Sequence, residues 1–237
     1  MNMLRYYISI LLLFSGLHIY AQDSIPKITK YPQRYGIRIG TDVFKASRNI
    51  WDKNYTGFEV NADYRLKENL YGVAEIGMEK KFKEEDQLSF TTKGNYIKIG
   101  VDYNLHKNWL DMENIIFVGG RYGLSLHSQQ LHSYKIYTQN PYFGESEVYP
   151  ELLSKGLSAH FVELVGGIKV EVLNNLFLSF SVRLNYLITQ KQPEGFENLY
   201  LPGFGRKYSG NIGANFNYGI SYFIPLYKKQ PVKKELQ

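Results

Sequence analysis

The chain has 237 residues, a formal net charge of +6 and Cys 0, which excludes a disulfide framework and a thiolate metal centre and leaves stability to come from elsewhere. Tyr 21 and Phe 14 make it strongly aromatic, and much of the positive excess sits at the ends, at Lys27, Lys30 and Arg34 and at Lys228, Lys229, Lys233 and Lys234. Charge so placed suits solvated termini or an anionic lipid.

Residues 1–5 end in Arg5, Tyr6 to Tyr20 form a largely apolar run, and Ala21-Gln22 offers a small-residue cleavage point. This predicts a signal peptide over 1–21 and a periplasmic segment over 22–33. The run is shorter than the ~20 residues a spanning helix needs. No cysteine follows it, which argues against a lipid anchor, and export makes nucleic acid an unexpected partner.

From residue 35 the dominant signal is a period of two, the mark of a strand with one apolar and one polar face. Residues 35–43 set Tyr35, Ile37, Ile39, Thr41 and Val43 against Gly36, Arg38, Gly40 and Asp42; residues 57–66 set Phe58, Val60, Ala62, Tyr64 and Leu66 against Glu59, Asn61, Asp63 and Arg65. Residues 70–80 oppose Leu70, Ala74, Ile76 and Met78 to Glu75, Gly77 and Glu79, with Tyr71 and Val73 on the polar side. At 95–105 the polar set is Lys98, Gly100, Asp102 and Asn104, at 115–127 Gly119, Arg121, Gly123, Ser125 and His127. At 159–172 it is Glu163, Gly167, Lys169 and Glu171, and at 176–189 Ser179, Ser181, Arg183 and Asn185. The stretch 209–224 keeps the alternation longest, from Ile212 to Ile224 against Asn211 to Phe223. Pro225 is expected to end it, since proline cannot donate to a ladder.

No helical period is evident. The connections near 67–69, 106–114 and 174–175 are short, and Asn174-Asn175 suits a hairpin because Asn tolerates positive φ. Those near 45–56, 81–94, 128–158 and 190–208 are long. Short turns at one end and long loops at the other predict an eight-stranded antiparallel up-and-down transmembrane β-barrel over 34–227, with a basic periplasmic tail over 228–237.

The composition of the polar face decides which side looks inward. It is built from Gly, Ser and Asn, as the narrow bore of a small barrel requires. Its charges come in both signs, Arg38, Arg65, Lys98, Arg121, Lys169 and Arg183 against Asp42, Glu59, Asp63, Glu75, Glu79, Asp102, Glu163 and Glu171. Buried charges persist only when paired, so an ion-pair network filling the bore is expected. Tyr35, Tyr103, Tyr122, Tyr186 and Tyr222 recur at the ends of the apolar face, where an amphipathic ring suits the headgroup level. About eleven residues at ~3.3 Å, tilted ~40°, rise roughly 27 Å, close to the apolar band of such barrels.

With its signal ending Ile19-Tyr20-Ala21-Gln22, its alternating strands and its terminal Tyr218 to Pro225, the sequence resembles the small outer-membrane barrels of Bacteroidota, among them a group without an assigned function. The resemblance implies location in the outer membrane, contact with its lipid, and a last strand, residues 212–224, read by the barrel assembly machinery. It brings no catalytic motif and no cofactor.

Candidate chemistry is sparse. His127, Ser128, His132, Ser133 and His160 cluster about the 128–158 segment and could serve a rim-located enzyme acting on lipid A, but adjacent strand residues face opposite ways and make a poor nucleophile–base pair. His132 and His127 with Glu145 and Glu147 lack metal-ligand spacing. A narrow channel for small solutes conflicts with a bore full of charges. The aromatic loop residues Tyr134, Tyr137, Tyr142, Phe143 and Tyr149 are the better functional candidates, for recognition of an extracellular protein or glycan or as a lid over the mouth.

Overall fold

The computed structural model describes residues 32–106, 112–136 and 146–229. The predicted signal peptide with the rest of the chain up to residue 31, the residues from 230 onward, and Tyr137, Tyr142, Phe143 and Glu145 lie outside the described residues. In chain order the elements are β1 (Gln33–Asp42), α1 (Val43–Trp51), β2 (Tyr55–Lys67), β3 (Leu70–Glu85), β4 (Leu88–Asn104), β5 (Ile115–Ile136), a short β6 (Ser146–Val148), β7 (Leu152–Leu173), β8 (Leu176–Gln190) and β9 (Ile212–Lys229). β6 adds to β5 alone; the other eight strands pair antiparallel in sequence, and β1 pairs with β9. The sheet is therefore a closed ring of eight strands with no free edge in the barrel wall.

Around the waist the ring is apolar outside and charged inside. Ile39, Ile76, Ile99, Leu164, Leu184 and Phe216 are exposed on the outer face, whereas Arg38, Glu59, Glu75, Lys98, Glu163 and Arg183 are buried within. Tyr71 and Val73 are buried on the inner face too. The β7–β8 turn places Asn175 at φ 64, the left-handed conformation that Asn tolerates. Gly123 faces the bore by the alternation of β5, and only glycine fits there because the Phe161 ring fills the space a Cβ would need.

Tyr103, Tyr122, Tyr186 and Tyr222 are exposed on the outer face, but Tyr35 is buried, stacked on Tyr227 at 5.2 Å with the Arg65 guanidinium 5.7 Å from its ring. A register shift between Tyr35 and Gly36 explains this, since Gly36 lies opposite Pro225 while Tyr35 lies opposite Tyr227. A bulge of this kind accommodates proline, so β9 continues past Pro225 instead of ending there. Lys228 and Lys229 consequently belong to β9, paired with Arg34 and Gln33, and are not part of a tail.

Two of the long connections are mostly strand. β3 and β4 meet at a tight turn after Glu85, and β5 and β7 are 22 residues each, so 81–94 and most of 128–158 form sheet. These tops reverse the polarity of the waist. Lys80, Lys93, Ser128 and His132 continue the outer face, while Phe90, Thr92, Gln129, Leu131 and Leu157 are buried inside.

The segment after β1 holds a helix that the periodicity misses. α1 is nine residues long, about two and a half turns, which gives a 3.6-residue pattern little length to show itself; the Asp42 carboxylate caps it by accepting from the Lys45 N–H at 3.0 Å. At its other end Asp52 accepts from Arg48 at 2.9 Å and from Lys81 at 2.9 Å. The helix sits on the rim, with Phe44 packed on the Phe216 ring at 4.6 Å and Lys45 turned into the barrel.

Candidate functional site

The buried charges of the waist are joined in one chain of ion pairs. Arg38 meets Asp63 at 3.2 Å, Lys169 bridges Asp63 at 2.7 Å and Asp102 at 3.4 Å, and Arg121 links Asp102 at 2.7 Å to Glu75 at 3.4 Å. Arg183 then holds Glu75 at 2.7 Å, Glu59 at 3.6 Å and Glu163 at 3.9 Å, and Lys98 pairs with Glu163 at 2.7 Å. Strand alternation puts these side chains in the bore, and closure brings residues more than a hundred positions apart into contact, as in Arg183 with Glu75. Desolvation is expensive for each ion, and the chain offsets it by giving every arginine and lysine an oxygen partner.

Asp42 departs from the expected network, since it caps α1 and its second carboxylate oxygen has no hydrogen-bond partner. Arg65 and Glu171 also pair away from it, near the opposite end. There Arg65 donates to Tyr71 and to Glu113 at 2.7 Å, Arg34 reaches Glu171 at 2.8 Å, and Arg38 lies 4.3 Å from the Phe177 ring. Glu113 and Arg34 fall outside the alternating runs, so periodicity could not assign them to the bore. Tyr71, on the polar parity of its strand, was the visible sign of an aromatic stopper at this end.

The upper end is closed by α1 and by the segment between β8 and β9. Lys45 descends from α1 to Glu59 at 2.7 Å and Glu79 at 2.9 Å. Burial works against its charge, but those carboxylates hold its pKa well above the ordinary lysine value. The β8–β9 segment folds inward as a lid. Tyr200 donates to Glu79 at 2.7 Å, the Gly203 N–H to the same carboxylate at 3.2 Å, and the Asn185 and Asn215 amides to the Phe204 carbonyl at 3.0 and 2.7 Å. Gly203 has φ +79 and lies so close to the Tyr96 ring that a Cβ would sit 2.6 Å from it. Burial, then the nearby Glu79, push the Tyr200 hydroxyl well above the usual tyrosine range, keeping it a donor. Phe204 packs edge-on against Phe161 at 5.5 Å within a buried cluster of Ala159, Phe161, Leu187, Leu201 and Phe204. A cavity of about 70 Å³ between lid, helix and network, lined by Asp42, Lys45, Glu79, Tyr200 and Asn217 among others, has room for about two water molecules.

The histidines are held apart by these surroundings. His127 faces inward and bonds Asn198 of the lid at 3.1 Å, His132 faces outward between Thr91 at 2.8 Å and Glu151 at 3.2 Å, and His160 meets the Tyr122 hydroxyl at 2.6 Å on the outer face. Ser133 bonds Ser89 at 2.9 Å inside the wall, and Ser128 bonds the Lys93 carbonyl at 3.4 Å. Each serine is thus committed to a partner other than a histidine. Tyr134 lies on β5 opposite Val148, and Tyr149, exposed just beyond β6, has its hydroxyl held in the neutral form by Glu147.

Residues 3–229 match the model of the family described as a domain of unknown function, DUF6048. The chain belongs to that family. By sequence, no curated protein matches this DUF6048 chain. Among solved structures it is similar to Neisserial surface protein A (NspA), at 13% identity and a TM-score of 0.41 over 82% of this chain and 99% of that one. It is likewise similar to Ail, the attachment invasion locus protein of Yersinia pestis, at 12% identity and a TM-score of 0.41 over 82% of this chain and 100% of that one. Both are small outer-membrane β-barrel proteins.

Proposed function

We propose that the chain is an outer-membrane β-barrel with a structural or surface-interaction role, carried out by surfaces outside an occluded bore. The occlusion carries this reading: ion pairs fill the waist, Lys45 and the lid seal one end, and Arg65, Tyr71 and Glu113 seal the other. Among the described residues, such a bore leaves no path for a solute. The apolar outer band then faces lipid, and the tops of β3, β4, β5 and β7, polar outside, stand in water beyond the outer leaflet. Short turns and both ends of the described barrel lie on the periplasmic side, where residues 212–224 are offered to the assembly machinery. The tops, with Tyr134 and Tyr149 exposed on them, are the surface for an extracellular protein or glycan. Placement of the histidines away from the serines leaves the lipid A enzyme without an assembled nucleophile–base pair.

An epitope inserted within residues 137–145 is expected to be labelled on intact cells, and the purified barrel is expected to give no steady current across a bilayer. Labelling only after lysis would overturn the orientation; stable open-pore currents would overturn the closed bore. A variant lacking residues 137–145, which keeps the β5–β7 pairing and the buried Leu131, should bind its surface partner less well while its barrel keeps its thermal stability.

A further inference from the structure

The outer face of β2 to β5 carries two features that the closed bore does not use. Thr56 lies opposite Lys80, Lys80 opposite Lys93, and Lys93 opposite Ser128, so four outward side chains form one row across the wall. The row directly beneath is Phe58, Met78, Asn95 and Leu126, the upper edge of the apolar band. Like charges directly opposed on a sheet destabilise it. Yet Lys80 and Lys93 are both exposed and form no ion pair among the described residues, while Lys81 and Lys83 on the same strand hold Asp52 and Glu85. Lower on the same face, small side chains leave a shallow, open apolar depression, lined by Ala62, Tyr64, Gly72, Ala74, Ile99 and Gly120 among others.

We infer that this face binds one phosphorylated lipid of the outer leaflet, its phosphate between Lys80 and Lys93 with the Thr56 hydroxyl beside it, and an acyl chain running down to the depression. The inference rests on the outer-membrane reading above. Dimensions support it. From Lys80 to Ala74 is about 20 Å along the strand at ~3.3 Å per residue, or roughly 15 Å of depth at a tilt of ~40°. That is one leaflet of a ~30 Å hydrocarbon core. A phosphate turns the repulsion between the two ammonium groups into two charge-assisted bonds, and the depression gives a chain more contact than a convex wall would. Gly120 makes the depression testable, because a Cβ there would meet only the Glu163 carbonyl oxygen, at 4.0 Å.

The full-length protein, folded in neutral phosphatidylcholine nanodiscs, is titrated with diphosphorylated lipid A and with its dephosphorylated counterpart, and bound lipid is counted by native mass spectrometry. The wild type is expected to retain one phosphorylated lipid and to discriminate against the dephosphorylated one. Lys80→Gln with Lys93→Gln should weaken retention by about tenfold or more and abolish the discrimination. Gly120→Leu should weaken both lipids alike while keeping the preference for phosphate, and Lys155→Gln should change nothing. Equal retention by the wild type and the lysine double variant overturns the site, as does displacement of the lipid by millimolar inorganic phosphate with no effect of Gly120→Leu. Folding is read separately by heat-modifiable gel mobility. A chain that does not fold in bilayers refutes the outer-membrane reading itself, and a folded barrel without phosphate preference refutes only this site.

Discussion

The waist and the top of this barrel are built from the same strands but solve opposite problems. At the waist the inner face holds Glu75, Arg121 and Arg183 and the outer face Ile99, Leu164 and Leu184; at the top the inner face holds Phe90, Leu131 and Leu157 and the outer face Lys80, Lys93 and His132. Below the rim the chain is polar inside and apolar outside, and above it the order is that of a water-soluble protein. A continuous ladder can cross from one solvent to another without a break because hydrogen bonding along it is satisfied throughout, leaving the side chains alone to record the change. Each part therefore draws its stability from its own source: paired charges at the waist, and an apolar cluster sealed by the lid at the top.

The largest effect should come from breaking the waist. Arg183→Ala strips the shared cation from Glu75, Glu59 and Glu163 and leaves buried carboxylates short of a partner. A loss of about 3–5 kcal/mol is expected, measured as the shift in the urea midpoint of the barrel folded in vesicles. At the top, Phe204→Ala removes the ring that packs on Phe161 at 5.5 Å. About 3 kcal/mol of packing is lost, but here the lid should open while the barrel stays folded. Hydrogen exchange would then rise over residues 197–205 and stay unchanged at the waist; a global collapse would show that the two regions are one cooperative unit.

The same polarity reversal explains what the sequence could and could not disclose. Alternation at the waist marked all eight strands, because Ile97 to Tyr103 or Leu178 to Ile188 keep the apolar residues on one parity. Above the rim the apolar residues switch parity, as Leu131 and Leu157 do, so a search for one-sided alternation stops at about residues 95, 127 and 159 and assigns the rest to loops. The lid is silent for a different reason: Leu201, Gly203 and Phe204 carry no period, and their place is set by Glu79, Asn185 and Asn215 on distant strands. Lys45 was hidden in a helix shorter than three turns. Charge signs inside the bore were readable, whereas partners such as Arg183 with Glu75 are decided by closure and shear.

The boundary between the regions can be located from outside. Leu164→Arg places a charge in the middle of the apolar band, where about 2–4 kcal/mol is expected, whereas His132→Arg, on the polar outer face above it, should cost about 0–1 kcal/mol. Unfolding in vesicles compares the two. Equal costs would mean that the polarity change does not mark the lipid boundary.

The smallest effect concerns pH, and its sign follows from the lid latch. Lys45 has a raised folded-state pKa, so its contribution is complete below the unfolded value of 10.5 and fades only as pH rises through the higher folded value. Tyr200 is stabilised as the neutral donor, which also leaves its bond to Glu79 intact below the ordinary tyrosine value of 10.0. Both shifts push in one direction. Protection of residues 197–205 against hydrogen exchange, corrected for the intrinsic rate, should therefore be the same at pH 7 and pH 9. A fall in protection over that interval would show that the top is held by groups titrating in it, and not by the Lys45 and Tyr200 latch on Glu79.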